Sequence, residues 1–224
     1  LPLMKSFGAS GYGEQLLRSN PNLASALPVL QTPYVVSADG SRLEIDSDFE
    51  GVSDGGFEVH NGDNLSEWDW NDGGTWVDTS IYRSGSASLG VHVDGSGNQR
   101  AGVYIEVKPF HQYHVRFWAK TEDADVNGGS FGVQIKDAVT FEWRDFAAND
   151  DLVFASTQDW TQHDFVFNSL ESEAVYVYVG VWTWSVSQAG RGWFDDLSIE
   201  ETGLVNLTRR DGARLLSRCF EIAS

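Results

Sequence analysis

One run of residues limits the possible folds more than any other. Between Ala174 and Ser185 the valines Val175, Val177, Val179 and Val181 alternate with Tyr176, Tyr178, Gly180 and Trp182, and Trp184 keeps the parity of the aromatics. Successive side chains of an extended strand point to opposite sides, so the valines share one face and the aromatics the other. β-Branched residues at every second position also suit a pleated surface. An aliphatic face of this length must be laid against a second apolar layer. The aromatic face then has two fates: burial beneath another layer, or exposure as a row of flat platforms with Gly180 leaving room for a ligand to approach the backbone.

The same period of two recurs along the chain. Val103 to Val107, Tyr113 to Thr121, Phe131 to Lys136, Thr140 to Phe146 and Trp160 to Phe167 all read as short strands. The last strand is Gly192-Trp193-Phe194-Asp195-Asp196-Leu197-Ser198-Ile199-Glu200, in which Leu197 and Ile199 alternate with Ser198 and Glu200. Many short strands with almost no helical periodicity imply an all-β fold, an antiparallel β-sandwich. The adjacent carboxylates Asp195 and Asp196 follow two large aromatics, and charges are rarely buried unless paired or bound to metal.

Residues 1–53 have a different texture and read as an N-terminal extension. Glu14 to Arg18 could form a helical turn, and Tyr34-Val35-Val36 with Arg42 to Ile45 reads as a hairpin closed by Asp39-Gly40. Residues 54–202 carry the β-sandwich, and 203–224 read as a C-terminal linker or tail. The net charge of −18 opposes nucleic acid, anionic membrane surfaces and, unless calcium intervenes, acidic polysaccharides, and makes a neutral glycan the easier partner. Cys219 is the single cysteine, so neither an intrachain disulfide nor a cysteine zinc motif is available.

Gly56-Phe57-Glu58, Tyr82-Arg83-Ser84-Gly85-Ser86-Ala87-Ser88-Leu89, Tyr113 to Lys120, Trp160 to Phe167 and the final strand occur in a fixed order. In that order they resemble the carbohydrate-binding modules that include families 4, 9 and 22, from about Gly55 to Glu201. The resemblance implies a jelly-roll accessory domain of a glycoside hydrolase, secreted or extracellular, whose partners are a poly- or oligosaccharide and an attached catalytic domain. It also implies a structural calcium ion held by Glu58 and by Asp195 or Asp196, with carbonyls near Ser84 to Ser86 completing a shell of hard oxygens.

The sugar contacts expected from strand parity are Tyr176, Tyr178, Trp182 and Trp184, extended by Tyr104, Arg116 and Gln134 on neighbouring strands. Trp118 shares that parity but is the weakest candidate. Trp70 and Trp76, in the loop Trp68 to Trp76, form a second line of contacts. Asp123 to Gly128 matches half of an EF-hand loop, but Gln134 stands where its bidentate Glu belongs, and a polar turn is the simpler reading.

Catalysis finds little support. Glu44 and Glu50, if extended, would be about 20 Å apart, far beyond the roughly 5–5.5 Å that a retaining glycosidase needs. No serine-histidine-aspartate, HExxH or GxSxG pattern is present. The alternative is a glycan-cleaving jelly roll, a lyase or glycosidase, whose carboxylates come together from distant loops.

Overall fold

The computed structural model describes residues 30–94, 97–124, 126, 130–145, 152–182 and 190–202. Glu14 to Arg18, Trp184, the centre of the Asp123 to Gly128 loop, the 203–224 tail and Cys219 lie outside the described residues.

The described residues contain thirteen strands: β1 Tyr34–Val36, β2 Leu43–Ile45, β3 His60–Asn61, β4 Asn64–Leu65, β5 Trp70–Asn71, β6 Thr75–Asp78, β7 Ser88–Val93, β8 Gln99–Glu106, β9 Gln112–Glu122, β10 Phe131–Asp137, β11 Gln158–Asn168, β12 Ala174–Val181 and β13 Gly190–Glu201. They form a four-stranded sheet β10-β12-β8-β5, a five-stranded sheet β11-β9-β13-β7-β6 and two small ribbons, β1-β2 and β3-β4. From β7 to β13 each successive strand lies in the opposite sheet from the one before, and every pairing is antiparallel. This is the antiparallel β-sandwich that the alternating pattern predicts, in the jelly-roll form that the resemblance implies.

The core lies between the two sheets. Val175, Val177, Val179 and Val181 are at most 1% exposed and meet Val91, Phe117, Phe165 and Phe194 from the five-stranded sheet. Parity of two therefore places Tyr104, Tyr176 and Tyr178 on the outer face of the four-stranded sheet.

The last strand breaks its own parity once. Its register against β9 shifts between Asp195 and Ser198, and Asp196 adopts φ 48°. This bulge adds a residue, so Phe194 and Leu197 both reach the core although three positions apart. Two consecutive aspartates can then stand off the core face within an otherwise alternating strand.

Two features differ from the sequence expectation. Thr140 to Phe146 is not a strand where described; a single bridge, Lys136 to Trp143, remains. Asp137 turns the chain there by accepting from the amides of Val139 (2.9 Å) and Thr140 (2.6 Å), which removes those donors from any ladder. The strand from Ala174 ends at Val181. Phe49 and Val52 of the N-terminal extension lie against the core, and Phe49 meets Tyr113 at 4.8 Å. The hairpin closed by Asp39-Gly40 forms as read, with Tyr34 opposite Ile45.

Candidate carbohydrate-binding face

The outer face of the four-stranded sheet is built in rows set by the strand register. In one row Trp70, Gly102, Tyr178 and Gln134 lie side by side; in the next stand Tyr104, Tyr176 and Lys136. Gly102 is required here, since a Cβ at that position would lie 2.6 Å from the Trp70 indole that covers it. Removing one side chain lets a large ring lie flat on the backbone.

The rings form a chain of neighbours. Trp70 and Tyr178 are 5.7 Å apart between centroids, Tyr178 and Tyr176 5.9 Å, and Tyr176 and Tyr104 5.8 Å. Phe141, from the turn that Asp137 shapes, stacks on Tyr176 at 6.0 Å and 7°. Tyr104 and Phe141 are exposed, and Trp70, Tyr176 and Tyr178 are half-buried. Burial pushes the Tyr178 phenol up, against the lowering effect of Arg100, so it stays protonated and able to donate at neutral pH.

Polar groups fix this surface. Asp72 accepts from the Arg100 backbone amide and from its Nε, both at 3.0 Å, and the guanidinium lies 5.2 Å from Trp70 and 5.7 Å from Tyr178. Asp69 accepts from the Tyr104 amide at 2.6 Å and so caps β8 beyond the short β5. Asp137 binds Thr140 and the Ser172 hydroxyl (2.6 Å); burial would push its carboxyl up, but these donors hold it well below the usual carboxylate range.

Several expected contacts are not gathered here. Arg116 and Trp118 stand on the outer face of the other sheet, because β9 belongs to the five-stranded layer; Arg116 pairs with Glu200 at 3.0 Å. Trp76 also belongs to that layer, lies over Gly90, and donates its indole N–H to Asp78 at 3.2 Å. Trp182 has the right parity but is 3% exposed, and Gln134 is likewise 3% exposed beside Tyr178, so neither offers an open surface. At Gly180 the space of a Cβ is filled by the backbone of Gln99 and Arg100, not left for a ligand. Conversely, Phe141, Trp143, Arg100 and Lys136 join the face without having been singled out. Lys136 was signalled by its parity with Gln134, whereas Phe141 and Trp143 arrive through a turn that alternation alone mistakes for a strand.

A cleft of about 490 Å³ opens beyond Tyr104, between Asp48 to Gly51 and Tyr104 to Lys108. It continues from the aromatic row at Tyr104 rather than coinciding with it.

Glu58, Asp195 and Asp196 all grip the loop Arg83 to Ala87, in two separate sets. Glu58 accepts from the amides of Ser86 (3.0 Å) and Ala87 (3.4 Å) and from the Ser86 hydroxyl (2.6 Å). Asp195 accepts from the amides of Arg83 (2.7 Å) and Ser84 (3.1 Å), while Asp196 binds the Arg83 guanidinium and the Ser84 hydroxyl, both at 2.6 Å. Calcium requires converging oxygens, whereas these carboxylates face N–H and O–H donors and a guanidinium. Among the described residues no three His, Cys, Asp or Glu side chains converge to hold a metal ion. The set therefore does not fit the expected calcium; the loop itself joins the early and late strands.

These groups give the fold two opposing pH responses. Asp195 is fully buried, and burial, with Asp196 adding, pushes it up to about 6 against the amides of Arg83 and Ser84. Folding then favours its protonated form, so its contribution is present in acid and is lost as pH rises through about 6. His163, enclosed by Phe117 and Phe154, is lowered by burial to about 4. Its contribution is present above the ordinary histidine value and is lost as pH falls through about 4. Each is on the order of 2 kcal/mol, of opposite sign across a shared window, so they largely cancel. Glu58, held low, loses its contribution only in stronger acid. Asp195→Asn is thus expected to make stability decline from pH 6.5 to pH 4, and His163→Phe to make it rise. Urea midpoints across that range check both, and parallel profiles in the two variants would contradict the assignment.

A β-sandwich with a row of open aromatic rings and oriented polar groups on one sheet has the architecture of a carbohydrate-binding domain. Residues 47–187, more than half of the chain, match CBM_4_9, a carbohydrate binding domain, and the chain belongs to this family. It is a binding domain without catalytic activity of its own. No curated protein matches the chain. Among solved structures it is similar to TmCBM61 in complex with β-1,4-galactotriose, at 16% identity over 67% of this chain and 97% of that one, with a TM-score of 0.44. It is also similar to the CBM22-2 xylan-binding domain of Paenibacillus barcinonensis Xyn10C, at 15% identity over 66% and 98%, TM-score 0.43. A third is the CBM6 module of Cellvibrio mixtus lichenase 5A in complex with cellotriose, at 11% identity over 60% and 92%, TM-score 0.39.

Proposed function

We propose that the chain binds a poly- or oligosaccharide by stacking sugar rings on Trp70, Tyr178, Tyr176, Tyr104 and Phe141. The reading rests on one observation: these rings form an unbroken series on the outer face of the sheet whose inner face supplies the valine core. Sugar C–H faces stack on such rings, and the Tyr hydroxyls and Arg100 guanidinium can hydrogen-bond hydroxyls beside them. Its role, on this reading, is to hold an attached carbohydrate-active enzyme on its substrate outside the cell.

Affinity electrophoresis through gels containing xylan, β-glucan or galactan tests the binding. Retardation by at least one glycan, reduced by Tyr176→Ala with unchanged melting, is the expected result. Retardation that survives Tyr176→Ala, Tyr178→Ala and Trp70→Ala together would place the site elsewhere.

A further inference from the structure

Acidic residues outnumber lysine and arginine 33 to 15 in this chain, so a cation lacks a carboxylate partner only when the fold keeps one away. Among the described residues, every lysine and arginine except Lys136 has such a partner. Lys136 stands on the aromatic face, in register with Tyr176, and its ammonium lies 3.8 Å from the centre of the Trp143 ring. Phe141 stacks on Tyr176, so the cation sits at the margin of the ring series.

The electrostatics leave this charge incompletely answered. Burial favours the neutral amine and lowers the Lys136 pKa; Arg100 adds to that lowering, while Asp145 opposes it. Arg100 is itself neutralised by Asp72 on the same face. A partly desolvated ammonium that meets a ring on one side, with Asp145 acting on it without forming an ion pair, is further stabilised by an anion that reaches it.

Resting on the saccharide reading above, we propose that Lys136 binds a carboxylate of the glycan, so that the ligand is an acidic saccharide carrying hexuronic-acid units. The overall charge of −18 does not prevent this. Repulsion from distant carboxylates is screened over about 8 Å at physiological salt, whereas a carboxylate in contact with Lys136 is not. Trp143 fixes the ammonium from one side and leaves its other N–H groups for the ligand.

The test uses matched oligosaccharides on xylose, glucose and galactose backbones, one of each pair neutral and the other bearing a single uronate. Titration calorimetry with the whole chain should show the uronate member bound about 5- to 10-fold more tightly, in line with one charge-assisted contact at a partly exposed site. That preference should shrink between 50 and 500 mM NaCl, disappear in Lys136→Met and persist in Lys136→Arg. Equal affinity within every pair overturns the acidic ligand while leaving saccharide binding intact. A preference that survives Lys136→Met overturns the role of Lys136. Absence of binding by every saccharide overturns both this proposal and the reading it rests on. Should Lys136→Met fail to fold, the salt dependence of the unmodified chain decides: a preference unaffected by salt overturns the charge contact.

Discussion

Trp182→Ala is expected to cost about 3–5 kcal/mol of stability, the usual loss for a buried aromatic. The indole is 3% exposed, and the backbone beneath it is tied down, with the Trp182 amide donating to the Ser130 carbonyl at 2.7 Å. For a domain of this size such a loss lowers the melting temperature by roughly 6–20 degrees. Tyr178→Ala, two rows away with the same parity, is expected to behave in the opposite manner. It is half-buried, touches Trp70 and Tyr176 only by its ring edges and faces, and leaves the valine core untouched. Melting should fall by a few degrees at most, while binding drops by on the order of 1–3 kcal/mol, the value of an aromatic platform under a flat ligand. Thermal unfolding and calorimetry on the same preparations separate the two. If Trp182→Ala melts normally but no longer binds, Trp182 is a platform; if Tyr178→Ala collapses the fold, the outer face is structural.

Gly180→Ala should be as damaging, for a reason confined to the backbone. The residue has φ 145°, a conformation open to glycine and strained for any L side chain. An added Cβ would lie 2.2 Å from the Gln99 carbonyl oxygen and 2.7 Å from the Arg100 Cα, both main-chain atoms of β8. Neither can swing aside as a side-chain tip could. Either the β12-β8 ladder opens or β12 shifts, and the cost is expected to exceed about 3 kcal/mol. A sugar held against this glycine would give a different signature, with melting preserved and affinity lost. Gly102→Ala provides a comparison, since its Cβ meets the Trp70 indole and not backbone. It should displace that ring, weaken binding and cost less stability.

The strand interiors were legible because alternation is a local property. Val175 to Val181 disclosed which face is core, and with it the orientation of Tyr176 and Tyr178. Which sheet each strand joins is not local. Tyr104 and Arg116 have the same apparent parity, yet β8 and β9 enter opposite layers, so their outer faces look away from each other. The loop Trp68 to Trp76 shows the same limit: Trp68 stacks on Phe57 in the core, Trp70 lies on one outer face, and Trp76 on the other. Asp195 and Asp196 advertised an unusual spot, but not that the loop from Arg83 would supply its own donors to them. Phe141 belonged to the face only because Asp137 folded the chain back, a tertiary outcome of a side chain capping two amides.

The ends of the domain meet at one pole. Ser47 donates its hydroxyl to Glu201, whose other oxygen lies 2.5 Å from His111 Nδ1, and Lys108 pairs with Asp48 nearby. The polypeptide therefore arrives and departs beside the same corner, and the sandwich hangs from it like a pendant. Tension along the chain beyond Thr202 would enter at the end of β13, an inner strand of the five-stranded sheet, where the Glu201 contacts to Ser47 and His111 add to the β9 ladder.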